Sequence, residues 1–260
     1  MDVVVWNMGH RVRSWSGLAN LEADVALLSE ARLPKSLGSS IQGGESTEGL
    51  DRYPRRWATA IVSKHGLQRI EDARSWRNGR PLKIPFAPSR PGSWEAAQLL
   101  QDGKPDVTVI SLYGLLDEKS DASMHRSLSE LTPIFEDPRY NRRVLLGGDF
   151  NIWTGRSVSS YPYLDRHQVV LERIRAFGLI DCLAAKRVPG ALRGCPCRLG
   201  NACPHTRTKV DSRFPGVAYQ DDYLFASIDL ARGLKSCAAL DPLDWGQYSD
   251  HVPIVAVLDD

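Results

Sequence analysis

Val144-Leu145-Leu146-Gly147-Gly148-Asp149-Phe150-Asn151 is an apolar run that ends in a carboxylate and an amide two positions apart. Residues i and i+2 of a strand share a face, so the stretch predicts that Asp149 and Asn151 aim into one pocket while Phe150 anchors the opposite side. The same pattern recurs outward from it. Val3-Val4-Val5-Trp6 runs into Asn7, Val25-Ala26-Leu27-Leu28-Ser29 into Glu30, and Val107-Thr108-Val109-Ile110-Ser111-Leu112 into Tyr113. Each is a short β-branched or aliphatic run that reads as a strand. Two later strands reverse the order: Asp222 precedes Tyr223-Leu224-Phe225-Ala226, and Ser249-Asp250-His251 precedes the run from Val252 to Leu258. Strands of opposite direction would bring all these groups to one rim. That predicts mixed sheets with a polar site along one edge, unlike a purely parallel doubly wound sheet, whose sites gather at C-terminal strand ends. Taken singly, an Asp or Asn after a strand is a turn residue or a helix cap; six polar strand ends in one chain form a pattern.

On these residues the chain resembles the endonuclease/exonuclease/phosphatase superfamily, the DNase I-like hydrolases. Trp6-Asn7, Ser29-Glu30, Ser111-Leu112-Tyr113, Gly147-Gly148-Asp149-Phe150-Asn151, Asp221-Asp222-Tyr223 and Ser249-Asp250-His251 occur in the family's order and span nearly the whole chain. An ordered set is far more specific than any one of its members. The resemblance implies an α/β fold, a four-layer α/β/β/α sandwich of two mixed, largely antiparallel β-sheets flanked by helices. It implies Glu30 as the principal metal ligand, with Asn7 and Asp250 near the ion directly or through water. Hard oxygen ligands that leave room for water and phosphate suit Mg²⁺ or Mn²⁺ better than zinc. By the same resemblance, Asp149 accepts the proton of the attacking water or holds that water in line. Asn151 helps fix its position or contacts the phosphate, and Tyr113 adds a phosphate hydrogen bond. His251 donates to a phosphate oxygen, with Asp222 fixing its tautomer. Asp221 competes for that last role, but the family motif sets the acid directly before the aromatic residue. One departure stands out: several nuclease members carry a further phosphate contact just after the tyrosine, where this chain has Gly114-Leu115-Leu116. A nucleophilic reading of Ser249 with His251 is disfavoured, because no nucleophile-elbow glycines flank them.

At 260 residues and 42% hydrophobic, the chain is long enough for a substantial core, and its strands are scattered along its length. It reads as one domain, 1–260, with a Cys-rich basic insertion at about 186–210. Helices are expected over 16–23 and 164–177, the second through Leu164, Val169, Leu171, Ile174 and Phe177. His125 and Arg126 open another, whose apolar face is Leu128, Leu131, Ile134 and Phe135. Strands are expected near 57–63, 66–70 and 94–100, and loops over 31–56 and 71–93. No apolar run approaches membrane-spanning length and no signal peptide is recognised, so the expectation is a soluble cytoplasmic protein with no membrane partner. Oligomeric state is open.

The net charge is only +2, but it is segregated. Residues 52–104 carry eleven Lys or Arg against four acids, and residues 211–260 three against nine. In the basic stretch Arg52, Arg55, Arg56, Arg74, Arg77, Arg80 and Arg90 interleave with Trp57, Trp76 and Trp94. Arginine beside tryptophan binds a phosphate backbone and stacks on bases; the alternative is a solvated rim of arginines over core tryptophans. Arg55, Arg56, Arg77, Arg193 and Arg207 are the candidate substrate contacts.

Cys195-Pro196-Cys197 and Cys203-Pro204-His205 supply four ligands for a structural Zn²⁺, which would order a segment with few core-forming residues. Disulfides compete poorly in an odd set of five cysteines. The same segment holds Lys186, Arg187, Arg193, Arg198, Arg207 and Lys209, with no acid between 186 and 209, and would grip substrate beside the site. The function these features favour is a divalent-metal-dependent phosphodiesterase of nucleic acid, DNA ahead of RNA. The alternatives are a phosphatase or phosphodiesterase of a small phosphorylated molecule or lipid headgroup, and a catalytically silent scaffold. The intact set Glu30, Asp149, Asn151, Asp250 and His251 opposes the scaffold, since binding alone does not require it.

Overall fold

The computed structural model describes residues 1–34, 40–42, 58–77, 80–116, 120–152, 164–188, 200–202, 206–211 and 220–259. Numbered along the chain, one six-stranded sheet holds β1 (Asp2–Asn7), β2 (Val25–Ala31), β3 (Ser40–Gln42), β4 (Ala58–Ser63), β13 (Leu234–Ala239) and β14 (Ile254–Leu258), in the spatial order β13-β14-β1-β2-β4-β3. A second holds β5 (Gly66–Arg69), β8 (Trp94–Gln101), β9 (Lys104–Leu112), β10 (Val144–Asp149), β11 (Leu179–Asp181) and β12 (Asp222–Ser227), in the order β11-β12-β10-β9-β8-β5. β6 (Asp72–Arg77) and β7 (Arg80–Pro85) pair as a separate ribbon. The β1–β2 and β9–β10 pairs are parallel, and their antiparallel partners β14 and β12 return along the other side.

The two-residue period of the strands sorts side chains into layers. Val3, Val5, Val25, Leu27 and Ile61 share a buried core with Val107, Val109, Leu145, Leu224 and Ala226, which fills the space between the sheets. The other face of the second sheet, with Ile110, Leu146, Phe150, Tyr223 and Phe225, packs on Met124, Leu128, Leu131 and Ile134 of α2 (Ser120–Glu136) and Val170, Leu171 and Ile174 of α3 (Leu164–Ala176). The other face of the first sheet, with Val4, Trp6, Ala26 and Leu28, is covered by Leu18 of α1 (Ser14–Ala19) and by Trp245 and Tyr248. Short helices α4 (Cys182–Lys186), α5 (Ile228–Ala231) and α6 (Pro242–Trp245) complete the connections. Burying each large apolar side chain stabilises by about 1.5–3 kcal/mol, so a one-residue slip of β1, which would turn Val3 and Val5 outward, is strongly resisted. The same register fixes where Asn7 points.

The structure departs from the sequence reading in three places. The chain turns after Asn20, where the helix was expected to run on to 23, and Glu22 has φ of +48°. Val169 is exposed and Val170 takes its place in α3, because the apolar stripe falls on 170, 171 and 174. The stretches expected as loops contain β3 and the β6–β7 ribbon, whose arginines and prolines mask the short alternation of Leu82, Ile84 and Phe86. Of the two alternatives for the tryptophans, Trp94 takes the core one: it is buried, packs against Phe86 at 4.7 Å between ring centroids, and donates from Nε1 to Glu130 at 2.8 Å. Trp57 lies outside the described residues, as does the side chain of Trp76.

Candidate active site

At one end of the sandwich the inter-sheet face changes from apolar to polar. Asn7 follows Val3 and Val5 on that face, Ser29 follows Val25 and Leu27, Ser111 and Tyr113 follow Val107 and Val109, and Asp149 follows Leu145 and Gly147. Asp222 lies directly opposite Asp149 in the β10–β12 pair. Hydroxyls tie the two sheets together here: the Ser111 hydroxyl donates to the Leu28 carbonyl at 3.0 Å, and the Asp149 amide donates to Ser29 Oγ at 3.2 Å. Two glycines permit the close approach. A Cβ on Gly148 would lie 1.8 Å from the Leu112 carbonyl oxygen, and one on Gly114 would lie 2.0 Å from that of Phe150.

Asn7 is the hub. Its buried Nδ2 donates to Glu30 Oε1 at 3.1 Å and to Asp149 Oδ2 at 2.8 Å, while its Oδ1 accepts from the Gly9 amide at 2.9 Å. The Tyr113 hydroxyl donates to Glu30 Oε1 at 2.9 Å, and His10 Nε2 lies 2.9 Å from Glu30 Oε2. Burial pushes the Glu30 carboxyl up, but the hydrogen bond and charge of His10, the charge of His251 and the Asn7 amide overcome it and hold it at about 2. Burial, then the charges of Glu30 and Asp149, raise the Tyr113 phenol well above its ordinary value, so it stays a donor. Asn151 reaches this region by a route other than strand pleating. β10 ends at Asp149, Phe150 turns to the outer face, and Asn151 has φ of +50°. Its amide donates to Asp149 Oδ1 at 2.8 Å and its Nδ2 to the Gly114 carbonyl at 2.9 Å, a side-chain turn typical of aspartate. Asp250 is exposed, with its Oδ1 3.5 Å from where a Gly9 Cβ would stand, beside Asn7.

Behind Asp149 sits a buried acid-histidine-acid chain. His251 Nδ1 is 2.8 Å from Asp222 Oδ2, and Nε2 is 3.7 Å from Asp149 Oδ2, with relative exposures of 2%, 0% and 1% for His251, Asp222 and Asp149. Burial disfavours the imidazolium, but Asp222 and Asp149 outweigh it and raise His251 to about 10. Burial, with Asp222 and Asp221 adding to it against His251 and Lys209, raises Asp149 to about 7. Asp221 turns to Lys209 Nζ at 3.3 Å instead of to the histidine, and its carboxyl is raised to about 6, chiefly by burial. Thr208 Oγ1 accepts from the amides of both acids, at 3.0 and 3.1 Å. The site therefore brings together a carboxyl with raised proton affinity, a histidine held as its cation and a neutral phenol.

Two groups could hold a dication. The Glu30 side chain is 20% exposed, an anionic carboxylate with the Asn7 amide 3.1 Å from Oε1. Ligand atoms of Asp149, Asp222 and His251 lie within 4.8 Å of one another, but His251 Nδ1 and Asp222 Oδ2 already engage each other and Asp149 Oδ2 accepts from Asn7. Mg²⁺ sheds its water reluctantly and keeps part of its shell; the more exposed Glu30 position fits it better than the mutually engaged cluster.

Arg55, Arg56, Arg193, Cys195, Cys197, Cys203 and His205 lie outside the described residues, as does the side chain of Arg77. Arg207 is half-buried. Two other basic residues of the 186–210 segment are committed internally rather than offered to a substrate: Lys209 to Asp221, and Arg187 to Thr206 and Gln220, both at 3.3 Å. The end of that segment lies against the site, since Lys209 pairs with His251 through the backbone and the Val210 amide donates to the Asp250 carbonyl at 2.8 Å. His125 lies in the helix layer, where its carbonyl accepts from Arg173 at 2.9 Å. Sequence reasoning missed His10 and Thr208, and read Lys209 as a substrate contact where it pairs with Asp221. His10 carried a signal, three residues after Asn7 and following a glycine; Thr208 and Lys209 carried none, because their partners are long-range.

No family model matches the chain, and no curated protein matches it. Solved structures do. An AP endonuclease from Archaeoglobus fulgidus is 17% identical with a TM-score of 0.65, and all of both chains is covered. A 3'-5' exonuclease from Neisseria meningitidis is 19% identical with a TM-score of 0.64, again over the full length of both. A 3' phosphatase from Neisseria, bound to a product DNA hairpin, is 19% identical with a TM-score of 0.67 over the full length of both. The two mixed sheets flanked by helices are the endonuclease/exonuclease/phosphatase, or DNase I-like, fold. No helix among the described residues is long and apolar enough to cross a membrane.

Proposed function

We propose that the protein is a divalent-metal-dependent phosphodiesterase acting on nucleic acid, with DNA preferred over RNA. The observation that carries the reading is Asp149, buried between the Asn7 amide and the His251–Asp222 pair, one hydrogen-bonded step from the half-open carboxylate of Glu30. The likeness to solved structures of an AP endonuclease, a 3'-5' exonuclease and a 3' phosphatase bound to a product DNA hairpin supports the substrate class. Glu30 would hold Mg²⁺ or Mn²⁺, with Asn7 and Asp250 alongside. The ion would supply Lewis-acid polarisation of the phosphoryl group and stabilisation of the leaving oxygen.

The chain's own residues do the rest. Asp149 takes the proton of the attacking water at Oδ2, since its raised affinity for protons suits a base working near neutrality. Asn7 and the Asn151 backbone hold that carboxylate from both oxygens. His251, kept cationic by Asp222, donates from Nε2 to a non-bridging phosphate oxygen, where its charge counts most as negative charge develops. Tyr113 donates a further hydrogen bond to the phosphate, and Asn151 steadies the attacking water. Arg55, Arg56, Arg77, Arg193 and Arg207 would contact the polymer's backbone, and Cys195, Cys197, Cys203 and His205 would bind a structural Zn²⁺, detectable as one equivalent of zinc in the purified protein.

A second reading, hydrolysis of a small phosphorylated molecule, draws on Leu115. This residue is buried together with Tyr113, so the loop offers no polar contact there for a longer substrate. Binding of a DNA duplex in rising salt, alongside turnover of p-nitrophenyl phosphate, separates the two. A polymer making many phosphate contacts loses affinity over several logs with salt. Salt-insensitive or absent DNA binding with efficient small-ester turnover would replace the leading reading with the second.

A further inference from the structure

Glu30 has a partner that the catalytic constellation does not use. β1 ends at Asn7, the Met8 amide donates to the Ser29 carbonyl at 2.8 Å, and the His10 amide donates to the Glu30 carbonyl at 3.1 Å. Gly9 and His10 take φ of +56° and +58°, and Glu30 itself takes +48°. A left-handed conformation is strained for a non-glycine residue and persists where the surroundings dictate it. Here two such residues face each other, hydrogen-bonded through the backbone, and the outcome is that an imidazole lies against a carboxylate at the mouth of the cleft. Asn7 and Tyr113 both engage Glu30 Oε1; Oε2 meets His10 Nε2 at 2.9 Å. His10 Nδ1 is buried with no hydrogen-bond partner among the described residues, so the ring belongs to no other network. Its side chain is 17% exposed.

We propose that His10 is a nitrogen ligand of the dication held by Glu30, and that the site therefore selects a first-row transition ion, Mn²⁺ in the first instance, over Mg²⁺. The inference rests on the reading that Glu30 holds the metal. Two ligands at roughly 2.1 Å on adjacent octahedral positions stand about 3 Å apart. The observed 2.9 Å between Oε2 and Nε2 meets that spacing without movement of either residue. Imidazole suits the first-row transition ions, manganese least strongly among them, and Mg²⁺ hardly at all, so one nitrogen in an otherwise oxygen site shifts the preference toward the transition ion. A hydrogen bond that merely steadies Glu30 would place no nitrogen on the ion.

The test uses the full chain with Mn²⁺ and Mg²⁺ as the only probes. Mn²⁺ binding is followed by electron paramagnetic resonance, ¹⁴N coupling to the bound ion by pulsed measurement, and Mg²⁺ affinity by competition. The wild-type chain should bind Mn²⁺ more tightly than Mg²⁺ by roughly tenfold or more, with imidazole ¹⁴N coupling. His10→Ala should lose the coupling and most of the preference while its Mg²⁺ affinity stays nearly constant, and His10→Gln should behave alike with thermal unfolding unchanged. Bound Mn²⁺ without nitrogen coupling in the wild-type chain, or coupling that survives in His10→Ala, overturns the assignment of His10 and leaves the Glu30 site standing. A wild-type chain that binds neither ion overturns both.

Discussion

Asp149 and Asp222 stand directly opposite each other across the β10–β12 pair, and the ring of His251 bridges them, 2.8 Å from one carboxylate and 3.7 Å from the other. Two like charges in register repel, and the buried imidazolium is what makes the pairing tolerable. In the metal-free chain His251 should therefore remain protonated through neutral pH, with its midpoint near about 10, read from ring ¹⁵N shifts. Asp222→Asn removes the largest stabilising charge and should bring the midpoint down toward the ordinary histidine range. A neutral ring at pH 7 in the wild-type chain would contradict the arrangement.

Stability should follow the same groups. His251 is raised from 6.5 in the unfolded chain to about 10, so its contribution is complete below the unfolded value and is lost as pH rises through the folded one. Asp149 is raised from 3.8 to about 7, and its folded form likewise binds the proton more tightly, so stability also falls across that interval. Urea unfolding in the presence of a chelator should show a decline from near neutrality to about pH 10. His251→Gln should flatten that upper limb; an unchanged slope would assign the decline to other groups.

Glu30 is held at about 2 and is ionised throughout the physiological range, ready for a cation. Glu30→Gln preserves an oxygen for the Asn7 and Tyr113 hydrogen bonds and removes the charge. Calorimetric titration should show dication affinity falling by roughly tenfold or more, with the thermal midpoint little changed. Equal affinity would move the metal to the Asp149–Asp222–His251 cluster.

Gly114 and Phe150 are in backbone contact where the loop after β9 passes the loop after β10. Gly114→Ala would set a methyl 2.0 Å from a carbonyl oxygen and force the two loops apart. The expected cost is about 1–3 kcal/mol at least, read from chemical denaturation, with turnover falling as Asn151 loses the Gly114 carbonyl. Wild-type stability in this variant would mean that the approach is looser than the backbone positions show.

Much of the sandwich was legible because its strands announce themselves by period and end in polar groups. Val3 and Val5 facing inward determine that Asn7 does too, and antiparallel β12 returns Asp222 to the rim where Asp149 ends β10. What was not legible depends on backbone conformation or long-range partners. Asn151 follows Asp149 by two residues, as pleating requires, but it reaches the site through a left-handed turn outside the strand. Asp222, preferred over Asp221 on the family motif, is the acid that meets His251, but the pairing of Asp221 with Lys209 is made only by the folded chain. The β6–β7 ribbon hides in a run rich in arginine and proline, where the prolines at 81 and 85 argue against a strand despite the alternation of Leu82, Ile84 and Phe86.

The central claim is that Asp149 is the base of a metal-dependent phosphodiesterase, and the most direct test is cleavage of single- and double-stranded DNA and RNA by the wild-type chain and Asp149→Asn, with Mg²⁺ or Mn²⁺ and with chelator. The account predicts metal-dependent cutting, DNA ahead of RNA, that the substitution lowers by roughly 100-fold to 10,000-fold with an unchanged circular dichroism spectrum. Cutting that persists in the folded Asp149→Asn variant, or that proceeds undiminished in chelator, would contradict it.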